Sequence, residues 1–192
     1  MNKRPLIIAN LIVGRDGSTS RNGSSIGLST PADRKLFHQL RSESSAILIG
    51  GNTARREPYK KTAIPLYIIT HSKLRLQPKN QLAKQLNLDP QTALNVILDE
   101  ISDQPSAQLL IEAGPKLLLE MIQIGMVDKL YLTINHALDG ENKIDLDQLT
   151  ANFKLIYTHQ EDGCEFQILE LTSRNKDYPN YCRYYSKILN SM

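Results

Sequence analysis

A carboxylate marks the point where an apolar run gives way to helical spacing. The segment LLIEAGPKLLLEMIQ starts at residue 109 and carries Glu112, Gly114 and Pro115 at this junction. Ligands of open α/β sheets bind at the carboxyl ends of parallel strands, where helix N-termini offer unpaired N–H groups to anions. Gly114 would let a phosphate approach the backbone, and Pro115 can begin a helix without losing a donor. Taken alone, the segment also fits an ordinary strand-turn-helix connection with Glu112 facing solvent, the default interpretation of a short motif.

Two further apolar runs end in residues suited to binding a nucleotide. The run AILI is followed by Gly50, Gly51 and Thr53, where small residues and a hydroxyl allow close approach of a phosphate or ribose. The run LYIIT is followed by HSK (71–73), whose donors and positive charge suit a 2′-phosphate. A tight turn before a short helix and an exposed loop, respectively, remain open as alternatives.

Several common active-site signatures are missing from the chain. There is no G-x-G-x-x-G after a predicted strand and no G-x-x-x-x-G-K-[ST], so the sequence predicts neither an ordinary Rossmann domain nor a P-loop. Metal catalysis lacks support because the histidines are far apart and none lies in an H-E-x-x-H or C-x-x-C context. We therefore predict no metal site.

The elements that must position these residues alternate in the first part of the chain. Strands are predicted at residues 6–13, 46–49, 66–70 and 108–112, and helices after Thr30, after Asp89 and at residues 115–124. The first helix is marked by Ser29 or Thr30 as N-cap, by Pro31, and by Asp33 at the positive end of the helix dipole. Residues 14–30 form a long Gly/Ser-rich loop, which at this length is usually functional or disordered.

The later part of the chain has the pattern of hairpins. Strands are predicted at residues 129–135, 154–158, 165–171 and 181–188, with a hairpin turn at QEDG (160–163). Alternating elements early and hairpins late predict an α/β fold with a mixed, mostly parallel central sheet. Its C-terminal strands should be antiparallel, and helices should cover both faces.

The composition is that of one globular domain. The chain has 192 residues, 41% hydrophobic and 22% charged, and no apolar run reaches 18 residues. These values predict a single domain over residues 1–192 and no membrane span. Two cysteines without metal-type spacing are too few for a disulfide framework, which predicts a cytoplasmic protein. A net charge of +3 from scattered basic residues favours a small anionic ligand over nucleic acid.

Six segments in chain order carry a more specific signal. They are RPLIIAN (4–10), DG (16–17), STP (29–31), LRSESSAILIG (40–50), LIEAGP (110–115) and GMVDKL (125–130). Together they resemble the pyrimidine reductase of riboflavin biosynthesis, the reductase domain of the bifunctional deaminase-reductase, here in a stand-alone form. The resemblance implies a dihydrofolate-reductase-like fold. It also implies a deaminase activity supplied by a separate chain.

The activity of the family implies a specific reaction, cofactor, substrate and assembly for this chain. Its members reduce the ribose of a 5-amino-6-(5-phosphoribosylamino)pyrimidine to a ribityl chain, usually with NADPH and usually as homodimers. The resemblance therefore implies NADPH as cofactor, a phosphorylated pyrimidine as substrate and a homodimer as assembly. Hydride transfer to the sugar C1′ would follow its conversion to an open-chain imine.

The resemblance also assigns roles to residues. Asp16 and Glu112 would be catalytic. The cofactor would be bound by Gly50, Gly51, Thr53, Ser72, Gly114, Pro115, Lys116 and Leu117. The substrate would be bound by Asn10, Ser25, Arg41, Lys60, Lys61 and Glu112. Arg55, Arg56 and Lys73 form a cationic neighbourhood that favours NADPH over NADH.

Departures from the family pattern fall mainly on the substrate side. The chain has Gly27 where an aromatic or aliphatic residue is usual, and EPYKK (57–61) where the family has Asp-Asp-Pro followed by Leu-Thr-x-Arg. Lys60 or Lys61 would then have to replace the missing arginine on the substrate phosphate. Two alternatives therefore remain open: a reductase of a pterin or another heterocycle on the same fold, and a non-catalytic nucleotide-binding protein.

Overall fold

The computed structural model describes residues 4–172 of the chain. Within this range the strands are β1 (Leu6–Gly14), β2 (Ser18–Ser20), β3 (Ala46–Gly50), β4 (Leu66–Ile69), β5 (Ala83–Leu86), β6 (Gln108–Ile111), β7 (Lys129–Asn135), β8 (Glu141–Lys143), β9 (Phe153–Glu161) and β10 (Cys164–Leu171). The helices are α1 (Pro31–Ser42), α2 (Gly51–Arg56), α3 (Pro90–Ile101), α4 (Pro115–Gln123) and α5 (Leu146–Thr150), with a 3₁₀ helix at Ser25–Leu28.

Eight of these strands form one mixed sheet. Their order is β5-β4-β3-β6-β1-β7-β10-β9. The pairs from β5 to β7 are parallel, whereas β10 pairs antiparallel with both β7 and β9. This confirms the predicted mostly parallel sheet with antiparallel C-terminal strands. The strand predicted at residues 181–188 lies outside the described residues.

Helices cover both faces of the sheet, as predicted. Successive residues of a strand point to opposite faces. Ile7 and Ala9 of β1 accordingly pack in the main core with α3 and α4, whereas Ile8 packs with Leu40 of α1 and Leu110 of β6. The face under α1 is the one that carries the candidate site, because Asn10 and Glu112 continue the alternation of Ile8 and Leu110.

The start of α1 follows the predicted capping pattern. Thr30 is the N-cap, and its Oγ1 accepts a hydrogen bond from the backbone N–H of Asp33 at 3.3 Å. Pro31 occupies the first helical position, and the N–H of Ala32 donates to Asp162 Oδ2 at 3.0 Å. The first turn is thereby tied to the β9–β10 hairpin, which fixes where the cleft-facing side of α1 lies.

Several short polar elements were not predicted from the sequence. The long loop predicted over residues 14–30 contains β2, which pairs with β8 in a separate two-stranded sheet, and the 3₁₀ helix. The edge strand β5 and the five-residue α5 are likewise absent from the prediction. None of these segments has the apolar periodicity that identifies longer elements. The predicted hairpin turn is confirmed, since Asp162 and Gly163 both have positive φ, as a tight two-residue turn requires.

Candidate active site

A cleft of about 1060 Å³ opens at the carboxyl ends of the parallel strands. Nearly all residues with a predicted role lie on its walls. They are Asn10, Ser25, Arg41, Gly50, Gly51, Thr53, Ser72, Glu112, Gly114, Pro115, Lys116 and Leu117. The structure thus brings together three strand-end segments that are far apart in sequence, in the crevice where open α/β sheets bind ligands.

Glu112 lies just beyond β6 and is buried, with 4% of its side chain exposed. Its backbone N–H donates to the Leu48 carbonyl at 2.9 Å, which continues the pairing with β3. Arg41 donates from Nε to Oε1 at 2.7 Å and from Nη2 to Oε2 at 2.6 Å. Tyr59 Oη donates to Oε2 at 2.7 Å. The alternative in which Glu112 faces solvent is therefore wrong, and its carboxylate is the centre of a buried polar network.

Arg41 is held between two aromatic rings. Its Cζ lies 4.0 Å from the ring centroid of Phe37 and 5.0 Å from that of Tyr59. Burial lowers and Glu112 raises the pKa of Arg41, with a net upward shift. Burial and the charge of Glu112 raise the pKa of Tyr59 well above its usual value, so its hydroxyl remains a donor. Nε and Nη2 bind Glu112, and Arg41 lines the cleft, so the remaining N–H donors of its guanidinium can meet a ligand there.

Another part of the cleft wall is built where α2 and α4 begin. Thr53 Oγ1 accepts a hydrogen bond from the Gly114 N–H at 3.1 Å, which joins the two helix starts. The N-cap of α4 is Gly114, which makes no side-chain cap bond, and Pro115 follows at the first position. The first intrahelical bond runs from the Leu118 N–H to the Gly114 carbonyl. The N–H groups of Lys116 and Leu117 are therefore those that an anionic cofactor group can use.

The two glycines after β3 have different neighbours. A Cβ on Gly51 would lie 2.5 Å from Thr70 Oγ1, so close packing within the chain already requires glycine there. A Cβ on Gly50 would lie 3.2 Å from Leu117 Cδ2, a contact that the flexible leucine can relieve. Position 51 therefore requires glycine because Thr70 packs against it, whether or not a cofactor also approaches there, as predicted.

The loop after β4 shapes the end of the cofactor wall. The Ser72 N–H donates to Thr70 Oγ1 at 3.1 Å, and Ser72 Oγ accepts from the Leu74 N–H at 3.2 Å. Arg55 and Arg56 of α2 lie on the cleft wall, whereas Lys73 does not. Of the predicted cationic neighbourhood, the two arginines are therefore the ones placed to meet a phosphate in the cleft.

Glu57 ties the Gly/Ser-rich segment to the cleft. It accepts hydrogen bonds from Ser24 Oγ at 3.0 Å, from the Ser25 N–H at 2.9 Å and from Ser25 Oγ at 3.1 Å. Sequence reasoning noted Glu57 and Tyr59 only as departures from the family pattern and gave neither a role. The structure shows instead that Glu57 holds Ser25 and that Tyr59 binds Glu112.

Three residues with predicted catalytic or substrate-binding roles lie outside the walls of the cleft. Asp16 forms an ion pair with Lys143 Nζ at 2.8 Å and accepts from the Ser18 N–H at 3.2 Å. These hydrogen bonds, led by that of Lys143, hold the pKa of Asp16 well below its usual value. Lys60 and Lys61 are exposed on the loop before β4. The catalytic role of Asp16 and the phosphate-binding role of the two lysines stay predictions.

A second buried carboxylate lines the cleft and has no role in the sequence prediction beyond marking the helix start. Asp33 is 6% exposed, and Ser29 Oγ donates to its Oδ2. Burial raises the pKa of Asp33. The signal that could have found it is spacing, because Asp33, Phe37 and Arg41 follow one another at intervals of four along α1 and all three line the cleft.

Among residues 4–172, no helix combines the length and apolar character needed to span a bilayer. Over this range the structure also contains no cluster of three or more His, Cys, Asp or Glu side chains that could hold a metal ion.

The fold has clear relatives among solved structures. A pyrimidine reductase-like protein from Corynebacterium diphtheriae is 18% identical, with a TM-score of 0.68, over 88% of this chain and 92% of that one. RibD from Acinetobacter baumannii is 20% identical, with a TM-score of 0.66, over 88% of this chain and 59% of that one. At these identities the likeness shows the fold, and it confirms the predicted dihydrofolate-reductase-like architecture.

A Thermotoga maritima protein also shares the fold of this chain at low sequence identity. It is described as a diaminohydroxyphosphoribosylaminopyrimidine deaminase and 5-amino-6-(5-phosphoribosylamino)uracil reductase. It is 14% identical, with a TM-score of 0.64, and this chain covers 57% of its length. The chain thus spans a little over half of these two longer proteins.

The family relationship comes from the sequence itself. A comparison with curated proteins finds no match. A family model described as the RibD C-terminal domain matches residues 5–165, which include every residue of the cleft walls. The chain therefore belongs to the RibD C-terminal domain family, as its resemblance to the pyrimidine reductases of riboflavin biosynthesis predicts.

Proposed function

We propose that this protein reduces the ribose of a 5-amino-6-(5-phosphoribosylamino)pyrimidine to the ribityl chain, with NADPH as hydride donor. The observation that carries the proposal is the cleft, which is lined both by the start of α4 and by the network of Arg41, Glu112 and Tyr59. One wall offers backbone donors for a dinucleotide, and the other offers a fixed cation beside a carboxylate. Two ligands can therefore meet between them, as hydride transfer requires.

The cofactor wall fits a dinucleotide phosphate. The uncapped start of α4 presents the N–H groups of Lys116 and Leu117, and the helix dipole favours an anion there. Thr53, by holding the Gly114 N–H, fixes the direction in which this helix start points. Arg55 and Arg56 supply positive charge farther along the wall. When bound, NADPH would supply the hydride.

The substrate wall fits a phosphorylated sugar. The N–H donors of Arg41 that do not bind Glu112 can donate to a phosphate or a carbonyl, and the rings of Phe37 and Tyr59 keep the guanidinium in place. A carboxylate has about four lone-pair positions, and Arg41 and Tyr59 occupy three on Glu112. One position remains for a sugar hydroxyl, so Glu112 can both orient Arg41 and touch the substrate.

The proposed reaction balances as a two-electron reduction. Opening of the ribosylamine ring gives an imine between C1′ and the exocyclic nitrogen. The hydride adds to C1′ and a proton adds to the nitrogen, which leaves a secondary amine on the ribityl chain. Because the protein has no covalent step to perform, its contribution is to hold the two reactants within about 3 to 3.5 Å of each other and to exclude water.

A turnover assay tests the proposal directly. The purified protein is incubated with NADPH and either the diamino or the deaminated pyrimidine phosphate, and loss of absorbance in the nicotinamide band is followed. We expect oxidation of NADPH that depends on one of the two pyrimidines. If NADPH raises the melting temperature but neither pyrimidine is reduced, the protein is a nucleotide-binding protein without this activity and the proposal is wrong.

A further inference from the structure

One side of α1 runs along the cleft and places three different chemical groups on it. Asp33, Phe37 and Arg41 are spaced by four residues and all line the cleft. At 1.5 Å per residue, the Cα atoms of Asp33 and Arg41 are about 12 Å apart along the helix axis. A ligand that contacts both side chains needs an anionic group at Arg41 and a different group at Asp33. A heterocycle joined through a sugar to a phosphate has this form.

Asp33 is not an ordinary acid of a helix start. A carboxylate at the third helical position normally faces solvent, where it stabilises the helix dipole at little cost. Here the side chain is buried, and within residues 4–172 it forms no ion pair with any lysine or arginine. Desolvation raises its pKa, although Ser29, Thr133 and the charge of Arg34 favour the ionised form. Such a group gains stability from a ligand that donates hydrogen bonds to it.

A second observation in the cleft points the same way. Oδ1 of Asn10, which also lines the cleft, is buried and has no hydrogen-bond partner in the described part of the chain. Buried polar groups are almost always satisfied in proteins. The cleft that contains Asp33 therefore has a second buried acceptor, Asn10 Oδ1, which a ligand with N–H or O–H donors can satisfy.

A carboxylate distinguishes the two pyrimidines that the proposed function leaves open. An ionised carboxylate accepts hydrogen bonds only, and it pairs best with two parallel N–H donors. The diamino pyrimidine offers this pair, with the 2-amino group beside the ring N3–H. The deaminated pyrimidine has a carbonyl oxygen in place of the 2-amino group, so an acceptor would face an acceptor.

We propose that Asp33 recognises the 2-amino group and the adjacent ring N–H of the heterocycle, so that this protein prefers the diamino pyrimidine to its deaminated form. The inference rests on the proposed function for the identity of the ribosyl phosphate, but the edge that Asp33 recognises is also present in pterins. Reduction would then precede removal of the 2-amino group. A separate hydrolytic deaminase would have to act on the product of this protein.

The test compares three substrates and three proteins. The substrates are the diamino pyrimidine phosphate, the deaminated pyrimidine phosphate and a dihydropterin, and kcat/KM with NADPH is measured for each. The proteins are wild type, Asp33→Asn and the control Asp162→Asn. Asp162 also binds the start of α1, through the Ala32 N–H, but does not line the cleft.

We expect wild type to prefer the diamino pyrimidine about ten- to hundredfold, the range of a charge-assisted hydrogen bond. Asp33→Asn should abolish this preference, and Asp162→Asn should keep it. Equal or better use of the deaminated pyrimidine by wild type overturns the inference while leaving the proposed function intact. A clear preference for the dihydropterin supports the role of Asp33 and overturns the proposed function.

If no substrate is turned over, a binding measurement tests whether Asp33 recognises the diamino pyrimidine. Dissociation constants of the two pyrimidine phosphates are then measured by calorimetry in the presence of NADP⁺. Tighter binding of the diamino form by wild type, lost in Asp33→Asn, supports the inference although the proposed reaction fails. Equal binding of the two forms by wild type overturns it.

Discussion

Arg41 and Glu112, which are 71 positions apart in the sequence, form a two-point ion pair at the floor of the cleft. Both side chains line the cleft, but that of Arg41 is 24% exposed and that of Glu112 only 4%, so the cation is the more accessible of the two. Parallel hydrogen bonds from the Arg fork fix the plane of the guanidinium. Glu112 is thus placed to orient Arg41 as well as to contact a ligand.

Glu112→Gln should weaken both the fold and the activity. Glutamine has nearly the same shape, but it cannot accept both Arg41 bonds and the Tyr59 bond, so a partly buried cation is left underpaired. We expect the free energy of unfolding, measured with urea, to fall by about 1–3 kcal/mol. Glu170→Gln is the matched control, because Glu170 pairs with Lys129 at the surface at 3.7 Å and should change stability by no more than about 0.5 kcal/mol.

The kinetic effect of Glu112→Gln separates its two possible roles. If Glu112 holds Arg41 and contacts the sugar, kcat/KM for the pyrimidine should fall at least tenfold while the NADPH dissociation constant changes little. Fluorescence titration of NADPH and steady-state kinetics give the two quantities. A loss of NADPH affinity equal to the loss of kcat/KM would show that Glu112 supports the cleft as a whole and has no special place on the substrate side.

Tyr59→Phe should show that Tyr59 and Arg41 act through the same carboxylate. The variant removes one donor to Glu112 without opening a cavity, and we expect a loss of about 1 kcal/mol in unfolding free energy. In a double-mutant cycle with Arg41→Met, the two losses should not add, because residues that share a buried network couple by about 0.5–3 kcal/mol. Strict additivity in urea unfolding would contradict the shared network.

Because Asp33 is buried, the stability of the protein should depend on pH in a defined direction. Its pKa in the folded protein lies above the usual value, so the folded state holds the proton more tightly than the unfolded chain does. Ionisation of Asp33 therefore costs stability at neutral pH. This cost disappears as the pH falls through the folded-state pKa to the unfolded one.

Unfolding of wild type and Asp33→Asn at two pH values tests this sign. The stability of Asp33→Asn relative to wild type should be higher at about pH 7.5 than at about pH 4, where more of the folded wild type carries the proton. Asp162→Asn provides the comparison, because Asp162 binds the same helix start without lining the cleft. A relative stability that does not change with pH would show that the carboxyl of Asp33 titrates as it does in the unfolded chain.

Much of the sheet was predictable because its parallel strands are buried on both faces. The runs around Ile8, Leu48 and Leu110 are apolar without interruption, which marks central strands of an α/β sheet. The ligand-binding edge followed from the same logic, since residues directly after such strands must meet at one edge. Gly50, Thr53 and Glu112 were found in this way.

The hydrogen-bond partners of the site residues could not be predicted from the local sequence. Tyr59 and Glu112 are 53 positions apart, and Ser25 and Glu57 are 32 apart, so only the tertiary structure brings them together. The burial of Asp33 has the same origin. Its local sequence marks a helix start, but the position of α1 over the sheet decides that this carboxylate faces the cleft.

The last prediction concerns the preference for NADPH over NADH. The structure reduces the number of basic residues that could contact the 2′-phosphate. Arg55 and Arg56 line the cleft, whereas Lys73, which the sequence also suggested, lies outside its walls. Arg55→Ala or Arg56→Ala should weaken NADPH binding on the order of tenfold, the value of one charge-assisted hydrogen bond. NADH binding should be nearly unchanged, because NADH has no 2′-phosphate, and Lys73→Ala should affect neither cofactor. Dissociation constants at two salt concentrations provide the check, since an exposed arginine-phosphate contact weakens as salt increases. If Lys73→Ala lowers NADPH affinity and neither arginine variant does, the 2′-phosphate lies outside the cleft wall assigned to it.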